Sequence, residues 1–186
     1  MGRLSYSQEV LRHHAACAPD VQSYFQHVPE LANSTFPWEV LIAYLFMQLE
    51  KGHNRAIHGS VVKLHRANAE VVSSVLDTHR MTRSDFVQLI RTITGKDLPK
   101  EIHDKLKRAE AIRDRCVHGK EVKEAKVLQA VKDVLEYVEG FNAHMKSIAG
   151  FRPFGDMRGY KGRMQLLDKA TSRWLLIGLG LLKKDD

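Results

Sequence analysis

The sequence predicts an all-α protein that folds as a single domain over residues 1–186. Apolar residues recur with the 3.6-residue period of an amphipathic helix in almost every segment. No segment shows the sustained alternation of apolar and polar residues that is typical of a half-buried strand. With 44% hydrophobic and 27% charged residues, the composition is that of a globular protein, and the length is sufficient for a core of its own.

Two short helices are expected first. The pattern places them at residues 5–17 and about 20–32, with Pro19 between them. The first ten residues, MGRLSYSQEV, lack the continuous apolar stretch of a signal peptide. The longest apolar runs, around 40–49 and 174–182, are about half as long as the ~20 residues that a membrane span needs. We therefore expect a cytoplasmic protein with no membrane partner.

The block at 38–49 is apolar almost all round and predicts the central helix of the fold. Pro37 fits the first turn of this helix, where a backbone N–H has no intrahelical partner. The helical pattern then continues through SVVKLHRANAEVVSSVL at 60–76. The sequence thus favours one long helix, with Gly52 and Gly59 as the places where it could kink.

The next two helices carry clear end signals. Thr82 and Asp85 have the spacing of a capping box, and Gly95 follows the apolar stripe as a C-cap. A further helix is expected from about Pro99 to about residue 118. Gly119 can supply the positive φ that commonly ends a helix.

The C-terminal third begins with a long helix at about 121–148, apolar over a side wide enough to pack against two neighbours. Residues 150–163, GFRPFGDMRGYKGR, are rich in glycine, basic and aromatic residues and predict a loop. A short last helix is expected at about 165–177, ending at Gly178. Its apolar stripe is Leu167, Ala170, Trp174 and Ile177.

The charge of the chain favours nucleic acid binding, and its cysteine and histidine content argues against metal sites and disulfides. The chain has 29 Lys and Arg against 22 Asp and Glu, a net charge of +7, so its field attracts polyanions such as nucleic acid. Cys17 and Cys116 lie far apart without CxxC spacing, which argues against a disulfide framework or a cysteine-based zinc site. The histidines lack HExxH or other paired ligand spacing. We therefore expect neither a metal nor another cofactor.

One residue breaks the apolar pattern of the helix that ends near residue 118. The stripe is formed by Ile102, Leu106, Ala109 and Cys116. The seam position before Cys116 is Arg113, which lies about 20° from Ile102 around the helix, near the middle of the buried face. An unpaired guanidinium there would cost roughly several kcal/mol, so it needs a carboxylate, a solvated cleft or an anionic ligand.

The stretch IRDRCVHGK at 112–120 contains an arginine, four further residues and a histidine that is followed by glycine. Residues 113–118 resemble the Arg-polar-x3-His motif of the HEPN domains (higher eukaryotes and prokaryotes nucleotide-binding). A glycine frequently follows the histidine in that family. The resemblance covers about residues 35–149, and the motif stands, as in the family, before the last long core helix.

The resemblance implies an up-and-down bundle of four to five core helices, with extra N-terminal helices and a C-terminal basic loop and short helix. It implies a homodimer in which two motifs share one basic cleft. It also implies a metal-independent endoribonuclease that cleaves single-stranded RNA, as toxins and antiphage-defence effectors do, with an antitoxin or regulatory protein as a further partner. The alternative is a non-catalytic helical module that binds RNA, a nucleotide or a partner protein.

The motif suits RNA cleavage. His118 is the expected general base or acid, because imidazole titrates near neutral pH, and Arg113 is the expected clamp on phosphate oxygens. Asp114 could orient either side chain. Glu50 is the candidate for an acidic residue that some relatives carry near the cleft, and Lys120 replaces the modified tyrosine of one subfamily. The expected RNA-binding residues are Arg115, Lys120, Arg152, Arg158, Tyr160, Lys161 and Arg163.

Simpler interpretations stand beside these. Arg113 can pair with Glu110 or with an acid of a neighbouring helix, while His118 only caps the helix end, where its cation suits the dipole. Cys116 is expected to be a small packing residue rather than a nucleophile. The aromatic side chains of the 150–163 loop can stack on the bases of a single strand or can dock onto the core. These aromatic residues are Phe151, Phe154 and Tyr160.

Overall fold

The computed structural model describes residues 3–78, 81–157 and 165–183. Within these residues nine helices form and no strand occurs, which confirms the predicted all-α class. None of the described helices combines the length and the apolar character of a membrane span. The helices are α1 (Arg3–Ala16), α2 (Pro19–Tyr24), α3 (Val28–Asn33), α4 (Trp38–His65), α5 (Ala69–Thr78), α6 (Arg83–Thr94), α7 (Lys100–Val117), α8 (Glu124–Ala149) and α9 (Lys169–Gly178).

The chain divides into two compact units. The first unit consists of Met1–Lys51 and Pro99–Asn142, and the second of Gly52–Leu98 and Ala143–Asp186. The first unit therefore contains α1, α2, α3, α7 and the first parts of α4 and α8. The second contains α5, α6, α9 and the remainders of α4 and α8.

The first part of α8 lies in the core of the first unit. The rings of Tyr137 and Phe141 are fully buried there and stack with their centroids 5.6 Å apart. The apolar side that the sequence predicts for this helix is buried, as expected for a helix with two packing partners. In the first unit it consists of Val127, Leu128, Val131, Val134, Leu135, Val138 and Phe141.

The prediction of one helix at 20–32 was wrong, because two helices, α2 and α3, occupy this segment. Pro29 lies in the first turn of α3 and has no N–H to donate to the carbonyl of Phe25. The amide of Val28 donates to that carbonyl instead, at 3.0 Å, in a tight turn. The buried hydroxyl of Ser7 donates to the carbonyl of Ala32 at 2.6 Å and so joins α1 to α3.

The single long helix expected through residue 76 is also interrupted. α4 ends at His65, Arg66 adopts a left-handed conformation with φ 59°, and α5 begins at Ala69. The side-chain oxygen of Asn68 accepts hydrogen bonds from the amides of Glu70 and Val71 at 3.1 and 3.2 Å. Asn68 thus satisfies amide donors of the first turn of α5 and stabilises the new helix start.

Gly52 and Gly59 do not divide α4. In the second unit they leave room for two buried aromatic rings of the segment that follows α8. A Cβ atom on Gly52 would lie 1.9 Å from Cε1 of Phe154, and one on Gly59 would lie 2.6 Å from Cζ of Phe151. Both rings dock onto the core, so neither is available to stack on a nucleic acid base.

The end signals of α6 act as predicted. The side chain of Thr82 accepts a hydrogen bond from the amide of Asp85, and the carboxylate of Asp85 accepts one from the amide of Thr82. Gly95 ends the helix with φ 68°. Local pairing and one left-handed glycine therefore fix both ends of α6.

The predicted apolar stripe of the last helix was wrong. α9 begins after Asp168, whose side chain accepts from the amide of Thr171, and its buried side is formed by Ser172 and Leu176. The hydroxyl oxygen of Ser172 accepts a hydrogen bond from the amide of Asn68 at 2.8 Å. A polar residue thus lies on the buried side of α9, while Trp174 is 80% exposed.

Candidate functional site

The candidate site lies at the C-terminal end of α7, in the first unit. His118 is the C-cap of this helix, and Gly119 follows in the left-handed conformation with φ 65°. The amide of Lys120 donates to the carbonyl of Arg115 at 2.9 Å, as in a Schellman motif. The helix end that the sequence predicts at Gly119 is therefore confirmed.

Arg113 lies in the seam of α7 where the helical pattern predicts it. Its side chain is 28% exposed, and its Nη1 donates to Oδ1 of Asp114 at 2.8 Å. Its Cζ lies 5.5 Å from the centre of the Phe46 ring, within the range of a cation–π contact. The guanidinium therefore contacts both the carboxylate of Asp114 and the ring face of Phe46. These two contacts provide the partner that a cation at this position requires.

Two contacts bring the first half of α4 close to the second half of α7. Arg113 contacts Phe46, while one turn further along α7 the charge of Glu39 acts on Cys116. Burial, with the nearby Glu39 carboxylate, raises the pKa of the Cys116 thiol. A thiol that stays protonated at neutral pH is a packing group and not a nucleophile.

His118 and two basic residues surround the end of α7. All three side chains are exposed, and Nη2 of Arg115 donates to the carbonyl of Glu121 at 3.2 Å. Among the residues that the structure describes, no hydrogen bond or ion pair involves the His118 ring. The helix end therefore presents to solvent an imidazole and the cations of Arg115 and Lys120.

Arg113 and His118 do not form a compact pair within one chain. The backbone is helical up to Val117, so the Cβ atoms of the two residues leave the helix about 140° apart. No hydrogen bond links their side chains within the described part of the chain. A phosphate held by Arg113 would need an imidazole from another source, or a substrate long enough to reach around the helix.

The other predicted site residues are dispersed. Glu50 is exposed on α4, one turn beyond Phe46, and in the described residues no hydrogen bond or ion pair connects it to the motif. Arg152 is exposed and belongs to the second unit. No group of three or more His, Cys, Asp or Glu in the described ranges could hold a metal ion. Four predicted RNA-binding residues lie outside the described residues: Arg158, Tyr160, Lys161 and Arg163.

The sequence did not identify an exposed apolar surface on the first unit. Phe36, Val40 and Met47 are 58, 40 and 46% exposed on and just before α4, and Val117 is 65% exposed at the end of α7. The available signal was the block at 38–49, which is apolar on more sides than one core can cover. Val40 and Met47 are seven positions apart on α4 and therefore share one face of the helix, which another molecule can bury.

Comparison with known proteins adds nothing to this description. No protein-family model matches the chain, and no curated protein and no solved structure matches it. The resemblance to HEPN domains stays a prediction, and it rests on residues 113–119 and on their place at the end of α7.

Proposed function

We propose that this protein is a metal-independent endoribonuclease of HEPN type that cleaves single-stranded RNA at the end of α7. The observation that carries the proposal is the setting of Arg113. Its guanidinium is fixed in an otherwise apolar seam by Asp114 and Phe46, yet part of the side chain remains open to solvent. A planar guanidinium held in this way is preorganised to bind the oxygens of a phosphate.

The proposed reaction is a transesterification. An imidazole takes the proton of the 2′-hydroxyl, the 2′-oxygen attacks the adjacent phosphorus, and the bond to the 5′-oxygen breaks. The departing 5′-oxygen takes a proton from an imidazolium, so the products carry a 2′,3′-cyclic phosphate and a 5′-hydroxyl. Arg113 stabilises the charge on the phosphorane, and Arg115 and Lys120 contact neighbouring phosphates.

The proposal includes a homodimer, because the divergence of Arg113 and His118 within one chain leaves each site incomplete. A second copy supplies the missing imidazole, so that Arg113 of one copy acts with His118 of the other, and this imidazole accepts the proton of the 2′-hydroxyl and then, as imidazolium, donates one to the 5′-oxygen. The exposed side chains of Phe36, Val40, Met47 and Val117 are the surface that would bring the copies together. A cytoplasmic location and control by an antitoxin or regulatory protein belong to the same proposal.

A second function, binding of RNA, a nucleotide or a protein without cleavage, is favoured by one observation. The carboxylate of Asp114 pairs with the guanidinium of Arg113 at 2.8 Å and balances its charge. The stability of α7 therefore does not require a phosphate at this position. In this alternative the exposed cations at the helix end bind a partner, and His118 only caps the helix.

The test is incubation of the purified protein with end-labelled single-stranded RNA in EDTA. The wild type should cleave, and Arg113→Ala and His118→Ala should each lose roughly 100-fold or more of the rate, since one stabilising donor supplies about 10²–10³-fold and acid–base catalysis about 10²–10⁴-fold. Arg12→Ala and His27→Ala are the matched controls, because both residues are well exposed in the same unit, at 75 and 55% for their side chains. They should cleave as the wild type does.

Mixing the two inactive variants tests the shared site. A mixture of Arg113→Ala and His118→Ala chains should recover part of the activity, because heterodimers contain one complete set of side chains. A monomer by light scattering would contradict the dimer. Binding of intact RNA with no cleavage by the wild type would favour the non-catalytic alternative.

A further inference from the structure

A groove with a volume of about 980 Å³ opens in the second unit between α5, α9 and the segment that follows α9. This volume lies at the upper end of the range of ligand sites, which is about 300–1,000 Å³. Three of its lining residues are basic, Lys169, Arg173 and Lys183, and one of those described, Glu70, is acidic. The groove is therefore suited to an anion that is longer than a single small molecule.

The charge of Lys169 in this groove is open to exchange. Lys169 pairs with Glu70 at 3.1 Å, but the two side chains are 69 and 79% exposed, and such surface pairs contribute little to stability. A phosphate can therefore replace Glu70 as the partner of Lys169 at low cost. Ser74 also lines the groove, and its hydroxyl group can donate a hydrogen bond to a phosphate oxygen, whereas the hydroxyl of Thr78 already donates to the carbonyl of Val75 at 3.1 Å.

Trp174 supplies a feature that charge alone does not. It directly follows Arg173 on α9, about 100° further around the helix, and it is 80% exposed. Trp38, the other tryptophan of the chain, is only 8% exposed. An exposed indole next in sequence to one of the cations that line a groove is a combination by which proteins bind single strands, with phosphates on the cations and bases stacked on the ring.

We propose that this groove and Trp174 form a binding surface for single-stranded nucleic acid. The backbone of the strand follows Lys183, Arg173 and Lys169, and one base leaves the groove and stacks on Trp174. A duplex does not fit this arrangement, because its bases already stack on each other and present no free face. The surface belongs wholly to the second unit, and its function does not depend on cleavage at His118.

The two tryptophans make the proposal directly measurable. A 2′-O-methylated oligouridine of ~12 nucleotides, which has no free 2′-hydroxyl and cannot be cleaved, is titrated into the full-length protein while its tryptophan fluorescence is recorded. Stacking should quench the emission of the exposed Trp174 and leave that of the buried Trp38. In Trp174→Phe the quenching should vanish, and affinity measured by anisotropy of a labelled oligonucleotide should remain, since phenylalanine can also stack.

Charge reversal in the groove has a matched control. Lys183→Glu and Lys96→Glu change the net charge equally, and Lys96 is exposed in the same unit but lies outside the groove. Lys183→Glu should weaken binding about tenfold. It should also reduce the slope of log affinity against log salt concentration by about one, because one phosphate contact is lost. Lys96→Glu should bind nearly as the wild type does. The quenching of Trp174 is measured with an oligonucleotide that cannot be cleaved and reports on the second unit, so failure here is distinct from failure of the nuclease proposal.

Three results would overturn the proposal. The first is an absence of quenching in the wild type at low salt. The second is equal weakening by Lys183→Glu and Lys96→Glu, which would mean attraction by overall charge. The third is equal quenching by polyglutamate or by a duplex of the same charge, which would mean that no base stacks on Trp174.

Discussion

The ring of Phe154 fills the space that a side chain at Gly52 would need. A Cβ atom on Gly52 would lie 1.9 Å from Cε1 and 2.3 Å from Cδ1 of that ring, which is fully buried. Gly52→Ala should therefore destabilise the protein by about 1–3 kcal/mol through overpacking, although alanine is the better helix former. The free energy of unfolding in urea measures this effect.

Gly178→Ala is the control for that substitution. Gly178 is also helical, and a Cβ atom there would meet no other atom within 4 Å. This variant should be as stable as the wild type, or more stable by up to ~1 kcal/mol, because only the helix propensity changes. Equal stabilities of the two variants would contradict the expectation that a side chain at Gly52 collides with the ring of Phe154.

A buried carboxylate makes Arg108 important for the first unit. Asp133 is 2% exposed and accepts two hydrogen bonds from Arg108, at 2.9 and 3.1 Å. Arg108→Ala should lower the free energy of unfolding by about 1–3 kcal/mol, because among the described residues it leaves the buried carboxylate with the side-chain amide of Gln129 as its one remaining donor. Arg91→Ala should cost no more than about 0.5 kcal/mol, since its partner Asp97 is 73% exposed. Similar losses in the two variants would contradict this account.

The sequence predicted the helix ends that depend on residues close together in the chain. The capping box of Thr82 and Asp85 and the left-handed turns at Gly95 and Gly119 each depend on residues a few positions apart. The close packing of the Phe154 ring against Gly52 could not be predicted, because the two residues are about a hundred positions apart in the sequence. The interruption of the helix at Arg66 had one signal in the local sequence. Asn68 directly precedes α5, and asparagine is a preferred residue at the N-cap of a helix.

The candidate site shows the same division. The 3.6-residue period predicted the place of Arg113 in the seam of α7, and the structure confirms it. The period did not predict its partner, because side chains at adjacent helix positions diverge and are not expected to pair. The long arginine side chain bends back to Asp114 while it crosses the ring of Phe46 on another helix. The prediction that Trp174 lies on the buried side of the last helix failed for a similar reason. Hydropathy does not show that the hydroxyl of Ser172 accepts a hydrogen bond from the amide of Asn68.

Cysteine chemistry should play no part in the proposed reaction. Burial raises the pKa of Cys116, and burial raises that of Cys17 to about 12. Both thiols should therefore react with iodoacetamide at neutral pH more slowly than a free cysteine does. Cys116→Ser should cleave RNA at the rate of the wild type. Rapid alkylation of Cys116, with matching loss of activity, would contradict both expectations.

His144 should contribute to a loss of stability in mild acid. Its Nε2 is buried without a hydrogen-bond partner among the described residues, and burial lowers the pKa of the ring. The unfolded chain then binds more protons than the folded one below about pH 6.5, so the free energy of unfolding falls as the pH falls through that region. The loss between about pH 7.5 and about pH 5.5 should be smaller in His144→Leu and in His144→Asn than in the wild type. An unchanged loss in both variants would exclude this contribution.

Asp114 separates binding from cleavage if the nuclease proposal is correct. Its carboxylate holds Arg113 in place, but it also competes with a phosphate for the same guanidinium. Asp114→Asn removes the negative charge and keeps the size and one acceptor oxygen. RNA should therefore bind more tightly, by about 2–5-fold for a partly exposed ion pair, while the rate of cleavage of bound RNA falls because Arg113 is less well oriented. Single-turnover kinetics with excess protein measures the two quantities separately. Weaker binding together with unchanged chemistry would show that Asp114 does not compete for Arg113 and has another role.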